Sequence, residues 1–150
     1  MQVKRAKKAD VKDLTELTIK SKSHWGYGEK QIEEWRGELT ITEKYIEENH
    51  VYKLIDENSL IGFYAYKPQN KTTIKLNYLF IEPKFIGSGC GKLLMTHFLK
   101  LLENSEYQRV TLDADPNAEV FYQKNGFRVI GKLPSSIKNR YLPIMEFELK

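Results

Sequence analysis

Leu79-Phe80-Ile81-Glu82-Pro83, followed after Lys84-Phe85-Ile86 by Gly87-Ser88-Gly89-Cys90-Gly91-Lys92-Leu93-Leu94, carries the strongest local chemical signal in the chain. An apolar run that ends at a proline reads as a strand. The alternate glycines then lead into a helical stripe of Leu93, Leu94, His97, Phe98, Leu101 and Leu102. Glycines let the backbone come close to a ligand, and successive N–H groups at a helix start converge on an anion such as a phosphate or pyrophosphate. The other reading of the same glycines is a turn that merely admits the helix. Their spacing fits neither the nucleoside-triphosphate P-loop nor the Gly-x-Gly-x-x-Gly dinucleotide fingerprint.

Upstream, Thr73–Ile81 places Ile74, Leu76, Tyr78 and Phe80 on one parity, while Leu79 and Ile81 add apolar residues on the other. This means either burial on both faces or a change of phase at a β-bulge. Val51–Ile55 and Leu60–Tyr66 read as a hairpin through Asp56-Glu57-Asn58-Ser59. The first third is a helical layer after a short strand over residues 2–7. Asp10 is the expected N-cap of a stripe at Val11, Leu14, Leu17 and Thr18. Ile32 and Trp35 belong to a second helix, Glu29–Glu38, and Thr40 with Glu43 forms a capping box for a turn through Glu48. Ser23-His24-Trp25-Gly26-Tyr27-Gly28 breaks this layer with aromatics.

Downstream, Arg109–Leu112 is a short strand, and Asp115-Pro116 supplies an N-cap and a first-turn proline. A short helix carrying Val120, Phe121 and Lys124 closes at Gly126. Phe127–Ile130 is a strand, Leu133–Arg140 a loop, and Ile144–Leu149 the last strand. The order β-α-α-β-β-β-α-β-α-β-β gives an α/β fold, expected as one domain over residues 1–150. With 150 residues, 41% hydrophobic and 29% charged, the chain can build a core without metal or disulfide staples.

The net charge of +4 is mild, and the basic run Lys4, Arg5, Lys7, Lys8 runs straight into Asp10 and Asp13. No contiguous basic patch with interleaved aromatics points to nucleic acid. A lone cysteine, Cys90, fits a reducing compartment, and neither a signal core nor a long apolar run indicates a membrane, so a cytoplasmic location is expected. The three histidines and Cys90 lack metal-site spacing.

Taken together, two motifs resemble the GCN5-related N-acetyltransferases, the GNAT superfamily. Its Gln/Arg-x-x-Gly-x-Gly/Ala signature falls on Ile86-Gly87-Ser88-Gly89-Cys90-Gly91, ahead of Leu93-Leu94. Its Asn-x-x-Ala-x-x-Phe-Tyr-x-x-x-Gly-Phe run matches Asp115-Pro116-Asn117-Ala118-Glu119-Val120-Phe121-Tyr122-Gln123-Lys124-Asn125-Gly126-Phe127. Ile86 replaces the usual Gln or Arg, which removes a side chain from the pyrophosphate. Asp115 replaces Asn, which keeps the helix cap but cannot donate as an amide does.

The resemblance implies a mixed β-sheet flanked by helices, with central strands that splay near Leu79–Ile81 to admit the pantetheine of acetyl-CoA. It places main-chain groups of Phe80 and Ile81 beside the thioester, where an N–H can meet charge developing on the carbonyl oxygen. The amides of Gly87, Ser88, Gly89, Cys90, Gly91 and Lys92 would hold the pyrophosphate, with Asp115 also on the cofactor side. Tyr122 matches the position whose hydroxyl acts as general acid, and an ordinary tyrosine pKa of about 10 keeps it protonated at neutral pH. His24, Trp25, Tyr27 and Tyr141, with Arg140 beside it, border the acceptor side. No side-chain base stands out: Lys75, Asn77 and Leu79 are unsuited, and Asp113, Asp115, Glu33 and Glu34 read first as solvated or capping carboxylates, with a water chain ending at one of them as the alternative. The implied activity is direct acetyl transfer from acetyl-CoA to a small-molecule or peptide primary amine, in a homodimer. A non-catalytic acyl-CoA-binding or regulatory module is the alternative.

Overall fold

The computed structural model describes residues 1–150. The strands are β1 (Gln2–Arg5), β2 (His50–Asp56), β3 (Ser59–Pro68), β4 (Thr73–Ile81), β5 (Arg109–Asp113), β6 (Arg128–Pro134) and β7 (Tyr141–Glu148). Between them lie α1 (Val11–His24), α2 (Glu29–Leu39), α3 (Glu43–Glu48), α4 (Cys90–Leu102) and α5 (Glu119–Lys124). The strands make one mixed sheet in the order β1-β2-β3-β4-β5-β7-β6, flanked by helices. The residues group into two compact units, each built from two stretches of chain: Met1–Tyr66 with Tyr78–His97, and Lys67–Asn77 with Phe98–Lys150.

In the first unit, Leu14, Leu17, Thr18 and Ser21 of α1 are buried at helical spacing. Leu14 and Leu17 pack with Ala6, Ile41, Val51 and Phe63, and Tyr78 and Phe80 of β4 lie against this cluster. Asp10 stands at the N-cap position of α1, but its carboxylate does not cap that helix. It accepts from the Lys7 amide and pairs with Lys53 at 2.9 Å instead. The cap expected at Thr40 belongs to Thr42, whose hydroxyl accepts from the Tyr45 amide. The Thr40 hydroxyl donates back to the Arg36 carbonyl at the end of α2. The hairpin is as expected, with a two-residue turn at Glu57 and Asn58, both at positive φ (48° and 70°), as a primed turn requires.

The structure also singles out Gly62 on β3. A Cβ there would lie 2.7 Å from the Phe80 carbonyl oxygen and 2.8 Å from the Ile81 side chain, with Leu94 of α4 at 3.2 Å. A lone glycine inside a strand pattern signals such an approach. Gly62→Ala is expected to lower the thermal midpoint by several degrees, since overpacking costs about 1–3 kcal/mol and each kcal/mol is about 2–4 °C at this size. A midpoint equal to wild type would show that β3 and β4 part there without strain.

In the second unit, β4 and β5 are parallel and pair only at Thr73↔Arg109, Ile74↔Val110 and Lys75↔Thr111. The break expected near Leu79–Ile81 therefore begins earlier, after Lys75. Register shifts occur at Leu54/Ile55 in the β2–β3 ladder and at Val129/Gly131 in the β6–β7 ladder, and β4 continues as a strand to Ile81. The two final strands are longer than the sequence pattern predicts. Pairing of Leu133↔Leu142 and Pro134↔Tyr141 extends the β6–β7 ladder, so the loop shrinks to residues 135–140. Cross-strand pairing within the hairpin thus claims residues that carry no alternating pattern of their own. Gly126, at φ 94°, closes α5, and a Cβ there would meet the Phe147 ring at 2.9 Å.

Candidate active site

In the first unit the glycine loop is built from the end of β4 outward. The Glu82 amide donates to the Ile61 carbonyl at 2.8 Å, and its carboxylate accepts from the Lys84 amide at 3.2 Å, capping the 3-10 turn Pro83–Phe85. Lys20 of α1 reaches the same carboxylate at 2.5 Å, and that contact holds the Glu82 carboxyl below the usual range. The chain then turns through Ser88, whose amide and hydroxyl both donate to the Phe85 carbonyl.

Gly87 and Gly89 have φ of 84° and 89°, and nothing lies within 4 Å of where a Cβ would stand at either. Conformation, not crowding, therefore demands glycine here, and the space above the loop stays open for a ligand. The first helical bond runs from the Leu93 amide to the Gly89 carbonyl at 3.0 Å. The amides of Cys90, Gly91 and Lys92 thus precede the helical ladder and are its orphan donors. The Cys90 side chain is buried, with its thiol 3.3 Å from the Ser88 hydroxyl and 3.8 Å from the Met1 sulfur, so only its backbone can face a ligand. Open space beside two left-handed glycines, ahead of orphan amides, fits a pyrophosphate. Ile86, at the position where the signature has Gln or Arg, is 37% exposed.

The aromatic segment also lies in this unit. α1 ends at His24, the Trp25 amide returns to the Lys22 carbonyl, and Gly26 at φ 86° reverses the chain. Trp25 is 41% exposed and meets His24 edge-on at 5.0 Å. Tyr27 is more occupied: its ring meets Trp35 of α2 edge-on at 4.9 Å, and the Lys22 ammonium sits over both rings. The candidate bases Glu33 and Glu34 contact Arg36 and Gln31 on the surface of α2. His97 is explained by packing. Its Nδ1 lies 2.7 Å from the hydroxyl of buried Tyr64, and burial lowers the imidazole pKa.

In the second unit, Tyr122 is buried, its ring edge-on to Phe121 at 5.3 Å and Phe127 at 5.6 Å. Burial, aided by the Asp115 charge, pushes its phenol well above the ordinary value. Asp115 caps the 3-10 turn Pro116–Ala118 through the Asn117 amide at 2.9 Å and pairs with Arg140 at 3.3 Å. Asp113 pairs with Lys75 at 2.9 Å. Tyr141 is 49% exposed, with the Lys132 ammonium 4.8 Å from its ring centre. Sequence reasoning missed Gly62, Lys20 and the Arg140 pairing. Only Gly62 left a local signal, as an isolated glycine within a strand.

The model of the acetyltransferase (GNAT) domain family matches residues 8–146, and the chain belongs to that family. Among curated relatives, it is 32% identical over 95 residues to the uncharacterized N-acetyltransferase ycf52 of Porphyra purpurea, covering 61% of this chain and 53% of the relative. A ycf52-like relative from Prochlorococcus marinus is 43% identical over 47 residues, 31% of this chain and 26% of its own length. The chain spans about half the length of the Porphyra relative.

Among solved structures, the PaiA N-acetyltransferase of Thermoplasma acidophilum, in complex with coenzyme A, superposes with a TM-score of 0.81 at 23% identity, over 98% of both chains. The ribosomal-protein-S18-alanine N-acetyltransferase of Escherichia coli gives 0.74 at 15% identity, over 99% of this chain and 93% of that one. At these identities the likeness shows the fold. No helix of the chain is long and apolar enough to cross a membrane.

Proposed function

We propose that residues 1–150 act as one N-acetyltransferase domain that moves acetyl from acetyl-CoA to a primary amine. The observation that carries the reading is the pair of left-handed glycines, Gly87 and Gly89, opening onto the orphan amides of Cys90, Gly91 and Lys92. Membership of the acetyltransferase family supports it. When bound, acetyl-CoA supplies an acyl group activated as a thioester. The Gly87–Lys92 backbone, Ser88 included, binds the pyrophosphate, and main-chain groups of Phe80 and Ile81 orient the thioester and meet charge on its carbonyl oxygen.

Asp115 shapes the cofactor side through its cap, while His24, Trp25, Tyr27 and Tyr141 contact the acceptor. Exposed Trp25 and Tyr141 suit that role best. Tyr122 presents its Oη proton to the departing sulfur. Because burial raises the phenol, it remains protonated across the working range, and it acts by a hydrogen bond to the developing thiolate as much as by complete transfer. The C–S bond breaks as the C–N bond forms, the amine's proton passes to solvent, and solvent returns a proton to the Tyr122 oxygen wherever it has given one up, so the products are the acetamide and the free thiol.

The same reading includes a cytoplasmic location and a homodimer. The exposed Val129, Ile130 and Leu133 on β6, at the sheet edge, support the dimer. The deciding experiment is thiol release from acetyl-CoA across small amines, polyamines, amino acids and peptides, with mass identification of the product. Amine-dependent release with an acetylated product is expected. Tight binding of coenzyme A without release for any amine would point instead to a non-catalytic acyl-CoA-binding module.

A further inference from the structure

Asp115 brings a charge to a position where the signature has a neutral Asn. Its side chain is only 14% exposed, so the charge needs close partners. Oδ1 accepts from the Asn117 amide and from Asn117 Nδ2, both at 2.9 Å. Oδ2 lies 3.3 Å from Nη2 of Arg140, whose own side chain is 17% exposed.

The loop 135–140 is folded so as to deliver that guanidinium. Ser135 donates its amide to the Arg140 carbonyl at 2.9 Å, and the Arg140 amide donates to the Ile137 carbonyl at 3.1 Å. The Ser135 hydroxyl oxygen accepts from the Ile137 amide at 3.1 Å and from Arg140 Nη1 at 3.2 Å. Asn139, at φ 62°, turns the chain just before Arg140, in a conformation that asparagine tolerates better than most residues.

We propose that Arg140 is a positioning residue for acetyl transfer: it neutralises Asp115 and fixes the 135–140 loop against the turn that leads into α5 and Tyr122. The inference rests on the acetyltransferase reading with Tyr122 as proton donor. The Asp115 charge reaches the Tyr122 phenol and opposes loss of its proton. A carboxylate left uncompensated there would also oppose the negative charge that gathers on the leaving sulfur. With its guanidinium 3.3 Å from Oδ2, Arg140 offsets part of that charge, and so allows Asp to stand where a neutral amide is usual.

The test compares Arg140→Gln, Arg140→Lys, Asp115→Asn and the Asp115→Asn/Arg140→Gln pair. For each, kcat, KM for acetyl-CoA, calorimetric affinity for coenzyme A and the thermal midpoint are measured with the best amine from the panel. Arg140→Gln should lower kcat about tenfold with little change in KM, the effect of a one-unit shift in a proton equilibrium. Arg140→Lys keeps the charge and the pair of substitutions removes both charges, so each should return kcat to within about threefold of wild type. In a Tyr122→Phe background, Arg140→Gln should add almost nothing.

A kcat loss that persists in the charge-free pair, or that follows the thermal midpoint through the series, would reduce Arg140 to a scaffold residue and overturn the inference. If Arg140→Gln does not fold, the charge-free pair and Arg140→Lys decide, and a tenfold loss in either overturns it. A normal Tyr122→Phe loss beside an unaffected Arg140→Gln sinks this inference alone. No turnover by wild type with any amine sinks it together with the acetyltransferase reading.

Discussion

Tyr122→Phe is expected to cut kcat by about 10²–10⁴-fold, the range a positioned acid contributes, while leaving coenzyme A affinity and the thermal midpoint close to wild type. The separation follows from the packing. The Tyr122 ring lies edge-on between Phe121 and Phe127, and phenylalanine keeps those contacts. What disappears is one O–H, on a phenol that burial keeps protonated. Turnover with an identified amine, calorimetry and a melting curve on the same preparation check the expectation. Equal turnover across the pH range would remove Tyr122 from the chemistry. Parallel losses in all three measurements would make it a packing residue.

Gly89→Val should abolish measurable coenzyme A binding at concentrations that saturate wild type. Left-handed backbone costs a residue with a Cβ about 1–2 kcal/mol, which alone is about a tenfold loss. Valine is stiffer still, because its branched side chain restricts the backbone further. The larger part of the loss is geometric. A loop relaxing from φ 89° would re-aim the amides of Cys90, Gly91 and Lys92, which follow directly after it. Because nothing stands within 4 Å of the added Cβ, the core is not disturbed and the variant should still fold. Unchanged affinity in a folded Gly89→Val protein would refute the cradle. The same substitution at exposed Gly28, which has φ −68° and open space around it, is the control.

The parts of this protein that were legible in its sequence are those whose physics is local. Gly87, Gly89 and Gly126 declare their backbone conformation because few other residues adopt it. Asp115-Pro116 declares a cap because the hydrogen bond closes within two residues. Parity in β4 and helical spacing in α1 give the faces of those elements. Two caps went to other residues for different reasons, one partner distant along the chain and one in the adjacent helix. Asp10 and Thr40 have capping chemistry, but a nearby lysine and a preceding helix claimed their side chains.

The family resemblance, the order of elements, the glycine loop and the candidate acid Tyr122 can all be read from the chain before it folds. Packing alone reveals that Gly62 is required by the Phe80 carbonyl, that Lys20 holds Glu82, and that Arg140 pairs with Asp115. It also decided how far β6 and β7 extend, and that the β4–β5 ladder stops at Lys75. A backbone preference or a cap is a property of a few consecutive residues, so the chain carries it wherever it folds. A charge pair or a close backbone approach joins residues far apart along the chain, and nothing in either residue names its partner until packing brings them together.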